Sequence, residues 1–175
     1  MSSTIITAIR GRRVWDSRGR PTVEAEITLA GGASGRAIAP AGASTGSGEA
    51  LDKRDGGAAF GGYDVTGAVD AVNRELAPAV LGMDASAQAA LDARLIARDG
   101  TPQKTRLGAN ATLAVSMAAA HAAAAASGMP LWRYLGGDAP DTLPLPQIQI
   151  LGGGAHAGRR VDIQDFLVMC PAATS

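Results

Sequence analysis

Two stretches of the 175-residue chain concentrate residue types from which a site could be built. The first is Ala41-Gly42-Ala43-Ser44-Thr45-Gly46-Ser47-Gly48-Glu49. Its small side chains leave backbone N–H groups and hydroxyls exposed, which suits a loop that closes over an anionic ligand. It lacks the Gly-Lys-Ser/Thr ending of a phosphate-binding P-loop, and the same composition also makes a plain solvent loop. The second is Gly152-Gly153-Gly154-Ala155-His156-Ala157-Gly158, followed by Asp162, Gln164 and Asp165. Glycines let His156 approach a ligand closely, and a carboxylate on the next strand could orient a proton or a water. A glycine turn with one exposed imidazole is the plainer alternative.

Other reactive residues carry less. His121 lies in an alanine-rich helix with no acidic residue three or four positions away, so it reads as a packing or surface histidine. Asp52-Lys53-Arg54-Asp55 mixes both signs and reads as a solvated cluster, with a structural role open to Arg54 and Asp55. The single Cys170 cannot form an internal disulfide and has no basic neighbour to lower its pKa, so a buried, inert thiol is expected. No Cys/His cluster has zinc spacing.

The elements that must position these residues follow from periodicity. Residues 4–15 read as a strand, with Ile5, Ile6, Ile9 and Val14 between polar positions. Thr22 to Leu29 alternates cleanly, placing Val23, Ala25, Ile27 and Leu29 on one face. Gly31-Gly32 turns the chain, and Gly35 to Pro40 returns as a third strand, giving a three-stranded antiparallel meander with one polar face. A short helical piece is expected around Glu49-Ala50-Leu51. Helix proper begins near Thr66, a reasonable N-cap; Val69, Val72, Leu76 and Val80 form one face, with Pro78 shortening or kinking it. Further helices cover about 86–98, 109–127 and 131–135, the long one ending before Gly128 with Pro130 beyond. Asp138 to Pro144 is a linker, and two strands follow, Leu145–Leu151 and Ile163–Cys170.

Composition limits the function classes. Apolar residues make up 46%, but 37 of the 175 residues are alanine and only 3% are aromatic, so the core is thin in volume. Tight helix packing is expected. Lys+Arg and Asp+Glu balance at 16 each, and the basic clusters are no longer than Arg12-Arg13 and Arg159-Arg160, which argues against nucleic acid. No apolar run is long enough for a transmembrane helix, so no membrane partner is expected. The N-terminus lacks a secretory pattern. A cytoplasmic protein is the expectation.

The order of motifs resembles the enolase family. Asp16-Ser17-Arg18-Gly19-Arg20-Pro21-Thr22-Val23-Glu24 is similar to that family's opening strand-turn. Pro40 to Gly46, with Glu49-Ala50-Leu51 and Arg54-Asp55-Gly56, resembles its mobile active-site loop. Leu107-Gly108-Ala109-Asn110-Ala111 and Gly128 to Leu135 resemble the start and sequel of its long helix. Gly153 to Gly158 with Gln164-Asp165-Phe166 is similar to the entry to its barrel. The resemblance implies an α+β capping domain over residues 1–141 and the opening strands of an incomplete α/β barrel over 142–175. It also implies a Mg²⁺-dependent lyase that dehydrates 2-phospho-D-glycerate to phosphoenolpyruvate in glycolysis. A base removes the proton beside the carboxylate while metal ions stabilise the dianion, an arrangement of which this superfamily is itself a standard instance.

Carried over by motif, Ser44 would bind Mg²⁺, with Gly42 and Ala43 beside the substrate. His156 would contact the phosphate or hydroxyl region, Gln164 would touch the substrate, and Asp165 would stand where the family places a Glu that assists hydroxide departure. A homodimer through the Arg18–Glu24 segment is also implied. Ala41, Gly152, Ala155 and Asp165 depart from the family pattern. Asp165 sets its carboxylate back by roughly 1.5 Å, one carbon–carbon bond, and misplacement on that scale can lower a rate about a hundredfold. These departures keep open a specialised relative acting on a phosphono-carboxylate, of the carboxyphosphonoenolpyruvate synthase kind, and a non-catalytic interaction fragment. In the family the catalytic lysine, principal Glu and three acidic metal ligands lie on later barrel strands, so the 175 residues alone are expected to be inactive.

Overall fold

The alternation over 22–29 becomes the middle strand of an antiparallel sheet. The computed structural model describes residues 3–42, 45–137 and 142–172. They group into two units, 3–41 with 46–137 and 142–172 with the residues 42 and 45. In the first unit β1 (Ile6–Trp15), β2 (Pro21–Leu29) and β3 (Ser34–Ala39) form a meander in the order β1-β2-β3. Its register sets Arg12 opposite Glu24 and Glu24 opposite Ile38. Val23, Ala25, Ile27 and Leu29 are all buried.

The opposite face of β2 is less open than its polar sequence implied. Glu24 is buried because Arg12 on one neighbouring strand and Arg36 on the other both pair with it. The charges satisfy each other across the strands.

The helical layer starts with α1 (Thr66–Ala71), passes through a π turn (Val72–Leu76), and continues as α2 (Ala77–Val80). The widened turn lies just ahead of Pro78, whose ring demands room near the carbonyl four residues earlier and which has no N–H to offer. Thr66 is not the N-cap. The Asp55 carboxylate takes that role from a distance, accepting the N–H groups of Thr66 (2.7 Å) and Gly67 (2.9 Å). The helical piece expected at Glu49-Ala50-Leu51 is absent: Leu51 instead donates to the Gln103 carbonyl and accepts from Ala109 N–H, both at 2.8 Å.

Next come α3 (Gln88–Asp99), α4 (Ala109–Ala126) and α5 (Leu131–Gly136). The alanine content has its explanation in α4. Ala111, Ala114, Ala118, Ala119, Ala122 and Ala123 are fully buried. At Gly35 on β3 an added Cβ would fall 2.1 Å from the Ala122 nitrogen and 2.4 Å from the Ala118 carbonyl oxygen. Strand and helix meet backbone to backbone, which only glycine against alanine allows. His121 is on the exposed side of α4.

The second unit holds β4 (Ile148–Gly152) and β5 (Asp165–Val168), an antiparallel pair joined through a 3₁₀ turn at Gly154–Ala157. Ile150, Leu151, Ile163 and Leu167 are exposed, so this ribbon has almost no core of its own. Cys170 follows β5 and is exposed, contrary to the buried thiol expected, because nothing among the described residues covers that end of the strand.

Candidate active site

The glycine run at 152–158 is built by backbone constraints. A Cβ at Gly153 would sit 1.8 Å from the Ile163 carbonyl oxygen, so the returning strand requires glycine there. Gly153 N–H donates to the Gln164 carbonyl at 2.6 Å and Gly154 N–H to the Val161 carbonyl at 2.8 Å, closing the loop onto the start of β5. Gly154 and Gly158 adopt positive φ, which reverses the chain on either side of His156. A methyl at Gly152 would lie 3.7 Å from His156 Cβ, and one at Gly154 would lie 3.6 Å from Gln164 Cγ. The bare glycine backbone therefore runs beside both side chains.

Three of the expected residues thus share one loop. His156 is exposed on the 3₁₀ turn, Gln164 is exposed just before β5, and Asp165 opens β5. No hydrogen bond joins His156 to Gln164 or Asp165. The Asp165 carboxylate is held instead by Gln149, whose Nε2 donates to Oδ1 at 2.5 Å. Sequence reading missed Gln149. Its contact depends on the β4–β5 register, in which Gly152 faces Asp165 and an irregularity lies between Gln149 and Leu151.

The small-residue loop begins where β3 ends. Ala43 and Ser44 lie outside the described residues. Gly42 is exposed in irregular backbone. Both flanks of the loop are gripped: Arg18 Nη2 donates to the Ala41 carbonyl (3.3 Å), and Gln103 Nε2 donates to the carbonyls of Ser47 (3.2 Å) and Glu49 (3.4 Å). Arg18 is set by Asp16, whose carboxylate accepts the N–H groups of Arg18 and Arg20. The Arg20 hydrogen bond leads the donors that hold the Asp16 carboxyl below its ordinary value. Downstream, Arg54 spans the Pro21 and Tyr63 carbonyls and Asp52, so the mixed charge cluster is structural. Of the Arg18–Glu24 segment, Arg18, Gly19 and Arg20 are exposed while Thr22, Val23 and Glu24 are buried in the sheet.

The model of the enolase N-terminal domain matches residues 6–135, and that of the enolase C-terminal TIM barrel domain matches 140–175. The chain belongs to the enolase family. The "Enolase" of Acidothermus cellulolyticus is 56% identical over 164 residues, covering 94% of this chain and 38% of the relative. "Enolase 1" of Desulfitobacterium hafniense is 54% identical over 168 residues, covering 96% of this chain and 38% of the relative. This enolase-family chain therefore spans a little over a third of the length of these curated relatives.

A metal site is a separate matter. Among the described residues no three His, Cys, Asp or Glu side chains converge as metal ligands. Asp165 is occupied by Gln149, and the described residues do not by themselves fit a Mg²⁺ ion. Among the described residues no helix is long and apolar enough to cross a membrane.

Proposed function

We propose that these residues serve phosphopyruvate hydratase chemistry, the loss of water from 2-phospho-D-glycerate to give phosphoenolpyruvate. One observation carries the reading: two relatives named as enolases are identical to this chain at more than half of the aligned positions, over nearly the whole length of the chain. Residues 1–141 act as a capping domain and 142–175 as the opening of the barrel. His156 meets the phosphate or hydroxyl end of the substrate, Gln164 contacts it, and Asp165 assists the departing hydroxide. Gly42, Ala43 and Ser44 belong to the loop that closes over it. The exposure of His156 and Gln164 beside bare glycine backbone supports this, since a ligand can reach both. Mg²⁺ would be the cofactor, with Ser44 supplying one ligand and acidic side chains of the family's barrel the others. A homodimer through Arg18–Glu24, a cytoplasmic location and a place in glycolysis complete the reading.

The test is phosphoenolpyruvate formation with Mg²⁺, run on the 175 residues and on a protein continuing through the barrel. The longer protein turns over 2-phosphoglycerate and the 175 residues alone do not. Turnover by the short chain, or none by the longer one, overturns the proposal. Preference of the longer protein for a phosphono-carboxylate would instead support the specialised relative indicated by Asp165, Gly152 and Ala155.

A further inference from the structure

Between α3 and α4 lies a cavity of 290 Å³ that the hydratase reading does not use. That is close to the roughly 300 Å³ at which small-molecule pockets begin. Its walls include Leu95, Ile96, Ala109 and Leu113, and both charge signs stand among its lining residues, as Asp92 and Lys104. The Asp92 carboxylate is fixed but not neutralised. Its Oδ1 accepts from Gln88 Nε2 (2.9 Å) and Ser116 Oγ (2.7 Å), both uncharged donors, and no cation pairs with it among the described residues. Lys104 is one of few non-glycine residues with positive φ, at +56°. Its ammonium donates to the carbonyls of Thr101 (3.1 Å) and Pro102 (3.2 Å), leaving one N–H for another acceptor. Gln88 Oε1, in the network that holds Asp92, is buried without a partner among the described residues. Left-handed backbone at a lysine and an unmet buried oxygen are both unfavourable and commonly accompany function.

We propose that this cavity binds a small aliphatic zwitterion, with its ammonium against Asp92 and its carboxylate against Lys104. Its methylenes lie against Leu95, Ile96 and Leu113. Charge complementarity selects this occupant: a purely apolar molecule leaves both charges unanswered, and a singly charged one answers only one of them. The cavity lies wholly within the first unit, so the inference is independent of the hydratase reading.

Calorimetric titration of the 175-residue chain with 6-aminohexanoate, hexylammonium and hexanoate tests it. The zwitterion binds saturably and about tenfold or more tighter than either singly charged probe, as expected for a charge-assisted hydrogen bond at each end. Asp92→Asn keeps the acceptor oxygen that Gln88 and Ser116 use, and weakens the zwitterion about tenfold. Lys104→Gln does the same. Leu113→Ala, at a half-exposed position where folding is not at stake, also weakens it. Absence of saturable binding, equal affinity for a singly charged probe, or unchanged affinity in the Lys104 and Leu113 variants overturns the proposal.

Discussion

Asn110 and Lys53 hold each other through two hydrogen bonds: Lys53 N–H donates to Asn110 Oδ1 at 3.1 Å, and Asn110 Nδ2 donates to the Lys53 carbonyl at 3.0 Å. The pair ties the first turn of α4 to the segment that follows the small-residue loop. Asn110 is 1% exposed and Lys53 is partly buried, so removing the amide leaves both Lys53 backbone groups without their partner in a largely enclosed position. Asn110→Ala should therefore cost about 3 kcal/mol in urea unfolding, from two backbone groups left unpaired. A loss within 0.5 kcal/mol, the range usual for surface substitutions, would show that the pair does not hold this join.

The contact of Gly35 with α4 leaves no room for a methyl. Gly35→Ala forces the strand from the helix and should destabilise the chain by about 3 kcal/mol, the upper range for overpacking. Gly32, where an added Cβ meets nothing within 4 Å, is a control for general glycine effects. Thermal melts of the two variants should differ in that order, even though Gly32 has positive φ.

Acid stability should depend on Asp64. Arg13 grips both of its oxygens, at 2.9 and 3.0 Å, and holds its carboxyl below the ordinary 3.8. Glu75, held down by Arg106, shifts in the same direction. A depressed folded-state value stabilises the fold above the unfolded value, and that contribution disappears as pH falls through the lower one. Denaturation midpoints should be flat near neutrality and drop below about pH 4. Asp64→Asn should lower the neutral plateau and flatten the acid limb. Parallel profiles for the two proteins would remove Asp64 from the account.

Asp55 offers a test of capping from outside the helix. Asp55→Ala leaves the N–H groups of Thr66 and Gly67 without their carboxylate and should cost about 1 kcal/mol. Thr66→Ala should do less, since Thr66 is not the cap. The reverse order would restore the local cap that the sequence favours.

Asp165 can be tested by lengthening it. In a protein continuing through the barrel, Asp165→Glu extends the carboxylate by about 1.5 Å and, on the proposed reading, should raise the rate of 2-phosphoglycerate turnover. Gln149→Ala releases the aspartate and should move the rate independently of substrate affinity. Unchanged rates in both would separate Asp165 from the chemistry.

What could be read from the sequence was whatever rests on a short period or a local stop. Period two buried Val23, Ala25, Ile27 and Leu29, and Gly128 with Pro130 marked the end of α4. Features set by distant partners were hidden. Glu24 is buried only because Arg12 and Arg36 arrive from the flanking strands. Leu51 forgoes its local helical preference because Gln103 and Ala109 supply its backbone partners. Within the candidate site, the glycine run and His156 were visible as composition. The hold of Gln149 on Asp165 was not, because hairpin register is not written in either residue's neighbours.

The exposed Cys170 bears on how any self-association should be measured. As the single thiol of the chain, it allows two copies to be joined covalently under oxidising conditions. A doubled mass in solution then has two separable origins, one reversed by a reductant and one by dilution. Only the second speaks for a recognition surface at Arg18–Glu24.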